Sequence, residues 1–444
     1  MLYPNSWKLN QRLIKTDIQQ VKLLFFALIV GLVAGGVGAV FRLTLTSIDF
    51  FRNRLYDIGS KSGFIMHIWP VLFAIIGVST ALFLVKKFAP EASGSGVHEI
   101  EGALDETRPM RWKRVLPIKF IASLFSLGSG LLLGREGPTI QLAANIGKMI
   151  KDIFKQPDNE NNALVSAGAA AGLASAFNAP FAGIIFVIEE MHGHFRFNFY
   201  SVAAIMIASG TADFVVRATI GASPVIQMTV FTSTSLSGLW LFIVLGLLYS
   251  VVGLAYNKLL VLTLNFSRYF SKIPIIVVGI FVGLIIAIIG ILFPEMIGGG
   301  YTTISKVLAH SFSLKFLIIL FIVRMLLSIF SYGTGVPGGI FAPLLALGVI
   351  SGMLFGNIVQ PYFPELVSHP GIFAIAGMAG IFASTVRASL TGLVLAVEMT
   401  SNYEMILPLI ITTVTASTVT SMLGNQPIYS TLLKRTLENT KPKD

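Results

Sequence analysis

The stretch Gly128-Ser-Gly-Leu-Leu-Leu-Gly-Arg-Glu-Gly-Pro138 recurs as Gly333-Thr-Gly-Val-Pro-Gly-Gly-Ile-Phe-Ala-Pro343. The paired glycines, a later glycine and the closing proline coincide without a gap. A second set follows in the same order. Ala174-Ser175, Ala179, Gly183 and Glu189 match Ala383-Ser384, Ala388, Gly392 and Glu398. Chance matching of Gly/Ala-rich helices explains any one coincidence, but ordered matches at near-constant offset argue for a duplication. Each copy puts Gly and Pro inside apolar sequence, which breaks a helix there. In hydrocarbon, a broken helix is tolerated only where its backbone is buried in protein or lines a wet cavity. Duplicated halves with broken helices predict an all-α, transporter-type membrane fold. Hydropathy alone leaves the relative orientation of the halves open.

Composition agrees with that class. Of 444 residues, 54% are hydrophobic and only 12% are charged, and the mean hydropathy is +0.80. A soluble domain carries about 25% charged residues, so this chain lacks the polar groups to cover a globular surface. Soluble enzymes, disordered chains and disulfide scaffolds are excluded, the last because there is no cysteine. The net charge of +11 does not read as a nucleic-acid footprint, which needs a wetted basic face. No cofactor or metal is expected.

Long apolar runs lie at about 23–41, 66–85, 115–133, 199–220, 236–265, 274–293, 314–330 and 404–422. Shorter, Gly-punctuated runs at 93–103, 136–150, 163–176, 180–191, 338–360, 371–384 and 388–399 read as broken or re-entrant helices. Gly31 with Gly35, and Gly279 with Gly283, read as helix-packing residues. Residues 1–22 are expected to form a cytoplasmic amphipathic helix and carry no cleavable signal peptide. A first membrane repeat is expected over 23–220, a second over 221–428 and a cytoplasmic helix over 429–444, with no CBS-like appendage. Basic clusters fix the orientation. Lys8, Arg12, Lys15 and Lys22; Arg108, Arg111, Lys113 and Arg114; Lys148, Lys151 and Lys155; and Lys434, Arg435, Lys441 and Lys443 all belong in the cytoplasm by the positive-inside rule. Both termini are then cytoplasmic, and the turn near 134–138 lies toward the outer side.

Three polar, Gly-rich loops each open a helix: Gly94-Ser95-Gly96-Val97-His98-Glu99, Gly134-Arg135-Glu136-Gly137-Pro138 and Gly338-Gly339-Ile340-Phe341-Ala342-Pro343. Tyr429 follows the last long run. A helix N-terminus offers unpaired N–H donors and about half a positive charge. Several converging N-termini make an anion site without a fixed cation, so the anion is not held too tightly to release. Ser95 and Tyr429 can add hydroxyl donors. Any one loop alone reads as a helix cap or packing glycines; their joint occurrence is the signal.

Glu136 can be a simple charge complement to a helix start. Yet an ionisable group within the membrane is functional by default. A carboxylate there can occupy an anion site as a tethered competitor and leave when protonated. Arg135 reads as a snorkelling residue or as part of an electropositive entrance. Glu189 and Glu190 end a helical run beside His192 and His194, where acids oppose the macrodipole. One is expected to relay protons, the other to pair with a base such as Lys119. Glu99 and Glu101 are expected to pair with Lys or Arg, and Glu398 to be structural as the repeat mate of Glu189.

These motifs, with Phe177-Asn-Ala-Pro-Phe-Ala-Gly-Ile-Ile-Phe-Val-Ile-Glu-Glu-Met191, resemble the signature of the CLC chloride channel and transporter family. The last stretch is similar to its bacterial proton/chloride exchange branch. The resemblance covers nearly the whole chain in order. It implies two inverted repeats with about 18 helices per subunit, a homodimer with one pore per subunit, and the bacterial inner membrane. It implies chloride held by Ser95, Tyr429 and the backbone N–H groups of Ile340 and Phe341, with Gly94, Gly96, Gly137 and Gly339 in support. Glu136 is similar to the family's gating glutamate and Glu190 to its internal proton-transfer glutamate. An acid at the latter position favours exchange over channel conduction. His98 departs from the pattern, where the family usually has Pro. The intact Gly134-to-Pro138 loop, Ser95 and Tyr429 count against the fluoride-selective branch.

The leading expectation is therefore chloride/proton exchange, with a passive chloride channel on the same fold as the alternative. An intramembrane serine hydrolase using Ser95 and His98 is a remote third, because Ser95 lacks the G-x-S-x-G elbow and the anion-type loops would be left without a role.

Overall fold

The computed structural model describes residues 6–61, 64–156, 162–191, 193, 198–226, 228, 231, 235–267 and 272–440. His192 and His194 lie outside the described residues. The described residues form seventeen α-helices and no strands. The first eight are α1 (Ser6–Lys61), α2 (Ile68–Phe88), α3 (Val97–Leu104), α4 (Trp112–Gly128), α5 (Glu136–Ile153), α6 (Ala163–Phe177), α7 (Pro180–Glu190) and α8 (Phe199–Thr219). The next eight repeat them in order: α9 (Trp240–Ser267), α10 (Ile275–Leu292), α11 (Tyr301–Ala309), α12 (Leu314–Gly333), α13 (Phe341–Val359), α14 (Gly371–Thr385), α15 (Ser389–Thr400) and α16 (Ile406–Met422). A last helix, α17 (Ile428–Thr440), carries Tyr429. Among the described residues, eight helical segments are long and apolar enough to cross a membrane.

The repeats are inverted, because mates run antiparallel wherever they touch. Gly134 and Gly339 exchange both backbone hydrogen bonds, each 2.7 Å, as an antiparallel bridge. In the α2–α10 contact, a Cβ on Gly279 would strike Ser79 and one on Gly283 would meet Ile75 Cα at 2.5 Å. These two contacts exchange under the repeat symmetry. The short α7 and α15 cap each other. Glu189, at the end of α7, accepts from the Leu390 and Thr391 N–H groups at 3.0 and 2.7 Å and from Thr391 Oγ1 at 2.8 Å. Glu398, near the end of α15, accepts from the Phe181 and Ala182 N–H groups at 3.1 and 2.7 Å. A carboxylate on a helix N-terminus satisfies its unpaired donors and its dipole together. This explains two acids at helix ends that the macrodipole alone disfavours. Glu398 is structural, as expected.

Every residue of α6 and of its mate α14 is buried. Their Ala/Gly-rich faces let backbones approach closely, which is how helices associate without a hydrophobic driving force. The same device joins α1 to α8: Cβ atoms on Gly31 and Gly35 would meet the Ala208 and Ala212 carbonyl oxygens at 2.6 and 2.8 Å. Across the expected boundary between residues 22 and 23, α1 runs unbroken from Ser6. No Pro or Gly occurs between Ser6 and Gly31, so nothing interrupts propagation of the helix from the membrane outward.

Candidate functional site

Four chain breaks meet at the centre of the molecule. The first, before α3, needs Gly94 and Gly96 at φ +59° and +86°, a region other residues rarely adopt. It is stitched to the break before α13: the Gly94 N–H donates to the Val336 carbonyl at 3.1 Å, and the Gly338 N–H donates to the Gly94 carbonyl at 2.9 Å. Ser93 Oγ donates to the Gly335 carbonyl at 2.8 Å. The break before α5 joins through the Gly134–Gly339 bridge. A Cβ on Gly137 would lie 2.5 Å from Ser95 Oγ, and one on Gly339 would lie 2.9 Å from the Gly137 nitrogen. Glycine is required at both because the loops touch backbone to backbone. The fourth break, Gly298-Gly-Gly300 before α11, is the repeat mate of the first.

A buried cation anchors each mated pair of loops. Lys119 on α4 is fully buried and donates to the carbonyls of Ala92, Gly94 and Ser95 at 2.9, 2.7 and 3.3 Å. Its mate Arg324 on α12 donates to the carbonyls of Glu295, Ile297 and Gly298 at 2.9, 3.4 and 2.9 Å. The expected pairing of Lys119 with a C-terminal acid of α7 is therefore not made. Three carbonyls take the donors of its ammonium, and Glu189 is used on α15. Glu99 does pair, accepting from Arg108 Nε and Nη2 at 2.9 and 3.0 Å. Glu101 does not: it is 1% exposed and neither oxygen has a hydrogen-bond partner among the described residues. It lies instead within electrostatic reach of Glu190.

Ser95 and Tyr429 are both fully buried, and their hydroxyls lie near each other without either making a hydrogen bond of standard geometry among the described residues. A buried hydroxyl left unpaired is costly, and this pair, with Ser95 Oγ against Gly137 of α5 and the Tyr429 ring beside Phe341 of α13, can donate to an anion. The Ser95 N–H is held by the Tyr332 hydroxyl at 3.4 Å. Ile340 caps α13 and Phe341 is its first residue, so their N–H groups have no intrahelical acceptor. The Phe341 ring packs against Phe186, Phe382 and Tyr429 at centroid distances of 5.7, 4.7 and 5.9 Å. Phe186 is one turn before Glu190 on α7, so both lie on one helix face. Glu190 is also within electrostatic reach of Tyr429. Ser95 Oγ and His98 Nδ1 do not hydrogen-bond to each other among the described residues.

At the other end, Glu136 is completely buried. Its Oε2 accepts from the Ala342 N–H at 3.4 Å, on the first turn of α13. Its Oε1 accepts from the Tyr301 hydroxyl. The carboxylate thus rests on the helix terminus that offers N–H groups to an anion. Arg135 donates to the Ala176 carbonyl at 3.2 Å, and its guanidinium lies over the Tyr301 ring, 4.5 Å from the centroid. The structure puts Ser95 against Gly137, Tyr429 against Phe341 and Glu136 on Ala342; the expected Lys119–acid and Glu101–base pairs are not made among the described residues. Sequence reasoning missed Tyr301, Tyr332 and Arg324. The signal for Arg324 was present: Pro90-Glu-Ala-Ser-Gly-Ser-Gly96 and Pro294-Glu-Met-Ile-Gly-Gly-Gly300 extend the repeat, and Arg324 stands where Lys119 does.

A family model described as "Voltage gated chloride channel" matches residues 77–421. The chain is 44% identical over 425 residues to the H(+)/Cl(-) exchange transporter ClcA of Vibrio parahaemolyticus, covering 94% of this chain and 91% of that protein. It is 44% identical over 440 residues to the protein of the same name from Vibrio cholerae, covering 98% and 93%. Among solved structures, a slow cyanobacterial Cl-/H+ antiporter superposes with a TM-score of 0.91 at 38% identity, covering 94% of this chain and 98% of that one.

Proposed function

The chain belongs to the voltage gated chloride channel family, and we propose that within it the protein is a secondary active antiporter exchanging chloride for protons. Chloride sits at the convergence of the broken helices, held by the Ser95 and Tyr429 hydroxyls and the Ile340 and Phe341 N–H groups. The site uses dipoles and N–H donors in place of a fixed countercharge, so it can bind an anion and release it.

Glu136 is the gate. One observation carries this reading: its carboxylate accepts from the Ala342 N–H of α13, the helix end that would otherwise face chloride. An ionised Glu136 competes with the anion. A protonated one no longer matches the positive helix end and gives way, so proton uptake and anion access become one event. Glu190, beside the unpartnered Glu101, receives protons at the other end. The basic clusters support a bacterial inner-membrane location with both termini cytoplasmic. The family resemblance supports a homodimer with one pathway per subunit.

The test is a flux experiment on protein purified into liposomes. A chloride gradient drives protons against their own gradient if the protein exchanges the two ions. Chloride flux with no proton movement identifies a passive channel instead.

A further inference from the structure

The outer end of the pathway contains a side chain that no motif assigns. Resting on the reading of Glu136 as the gate, we propose that Tyr301 is a positioning residue whose phenol holds the ionised Glu136 carboxylate on the α13 N-terminus, and so sets the external pH at which the pathway opens.

The backbone brings Tyr301 to this place. It is the first residue of α11, and Gly300 before it has φ +116°. A Cβ on Gly300 would meet the Ala346 Cβ at 2.7 Å and the Ala342 carbonyl oxygen at 3.3 Å. The start of α11 is therefore pressed onto the first turns of α13, where Glu136 rests. The ring is held on two sides, by the Arg135 guanidinium at 4.5 Å and by the Phe177 ring at a centroid distance of 6.5 Å. Its hydroxyl donates to Glu136 Oε1, while Oε2 takes the Ala342 N–H. The gate is thus gripped at each oxygen by a donor from a different helix. The repeat mate of Tyr301 is Val97, so the scaffold itself does not demand an aromatic hydroxyl.

The other charged groups around the pair do not substitute for it. Arg135, at the start of α5, gives a donor to Ala176 and covers the ring face. Arg42 on α1 acts on Tyr301 at longer range and donates to Asn178 Oδ1 at 2.5 Å. Asp49, also on α1, pairs with Arg52 at 2.6 Å. Arg324 on α12 is committed to carbonyls. Among the described residues, Tyr301 is the one side chain that donates a hydrogen bond to Glu136. A phenol donates more strongly to a carboxylate than to its neutral acid. The contact therefore favours the seated, ionised gate over the protonated, released one.

The experiment measures chloride flux against external pH in liposomes for the wild type, Tyr301→Phe, Glu136→Ala and the double variant. Tyr301→Phe keeps the ring and its Arg135 contact and removes only the donor. The midpoint of acid activation is expected to move to higher pH by about one unit, the equivalent of one hydrogen bond to a charged group. In the Glu136→Ala background the same change should alter nothing. Where Tyr301→Phe does not fold, 3-fluorotyrosine at position 301 is a stronger donor of similar shape and should move the midpoint to lower pH. An unmoved midpoint, or an equal effect with and without Glu136, overturns the proposal. A full pH response in Glu136→Ala alone would overturn the gating reading instead.

Discussion

The two repeats share a backbone and divide the labour. Where the job is to hold the scaffold, both copies keep the chemistry. Lys119 and Arg324 each bind three carbonyls of the loop before them. Glu189 and Glu398 each cap the other copy's short helix. At the positions proposed to carry transport, only one copy has the group. Ser95 corresponds to Gly299, Glu136 to Phe341, Glu190 to Met399 and Tyr301 to Val97. A symmetric scaffold thus supplies matched helix ends from both sides of the membrane. On the proposed reading, asymmetric side chains then make one of those ends a chloride site and the other a gate.

That contrast can be broken by substitution. The largest effect is expected from the anchors. Lys119→Met and Arg324→Met each leave buried carbonyls unpaired, at about 1–3 kcal/mol per group. Both variants should lose folded protein in detergent, read by size-exclusion profile and thermal unfolding. If one anchor is dispensable, the equivalence of the copies fails.

The working residues should behave in the opposite way, sparing the fold and changing transport. Glu136→Ala should leave chloride flux that no longer responds to pH and no longer moves protons. An unfolded variant would make Glu136 a scaffold residue. Glu190→Ala should keep chloride flux and lose proton flux, measured in the same liposomes. Persistence of both fluxes removes Glu190 from the proton route. The smallest effect belongs to the reciprocal caps. Glu189→Gln and Glu398→Gln should each lower stability by about 1–3 kcal/mol and by similar amounts, with coupling intact. Loss of coupling in Glu189→Gln alone would mean that the proton relay lies there rather than at Glu190.

Much of this was legible in the sequence, because Gly and Pro report backbone geometry directly. The paired glycines before α5 and α13, and the N-terminal loops they open, needed only the chain itself. The antiparallel arrangement was not legible in the duplication itself, since an inverted and a parallel duplication read alike along the chain; only the family resemblance implied it. Charge logic misled at Lys119: a buried ammonium suggests an acid, yet its three donors are met by carbonyls. It misled again at Glu101, whose buried carboxyl has no hydrogen-bond partner among the described residues. Tyr301 belongs to no motif read along the chain. Its role depends on α11 being pressed against α13, a tertiary contact.

The central claim is that anion and proton share one gated path. It is tested most directly by recording chloride and pH together in liposomes with an imposed chloride gradient. The account predicts protons moving uphill in the wild type and not in Glu136→Ala. Chloride moving down its gradient in the wild type while the internal pH stays constant would contradict it.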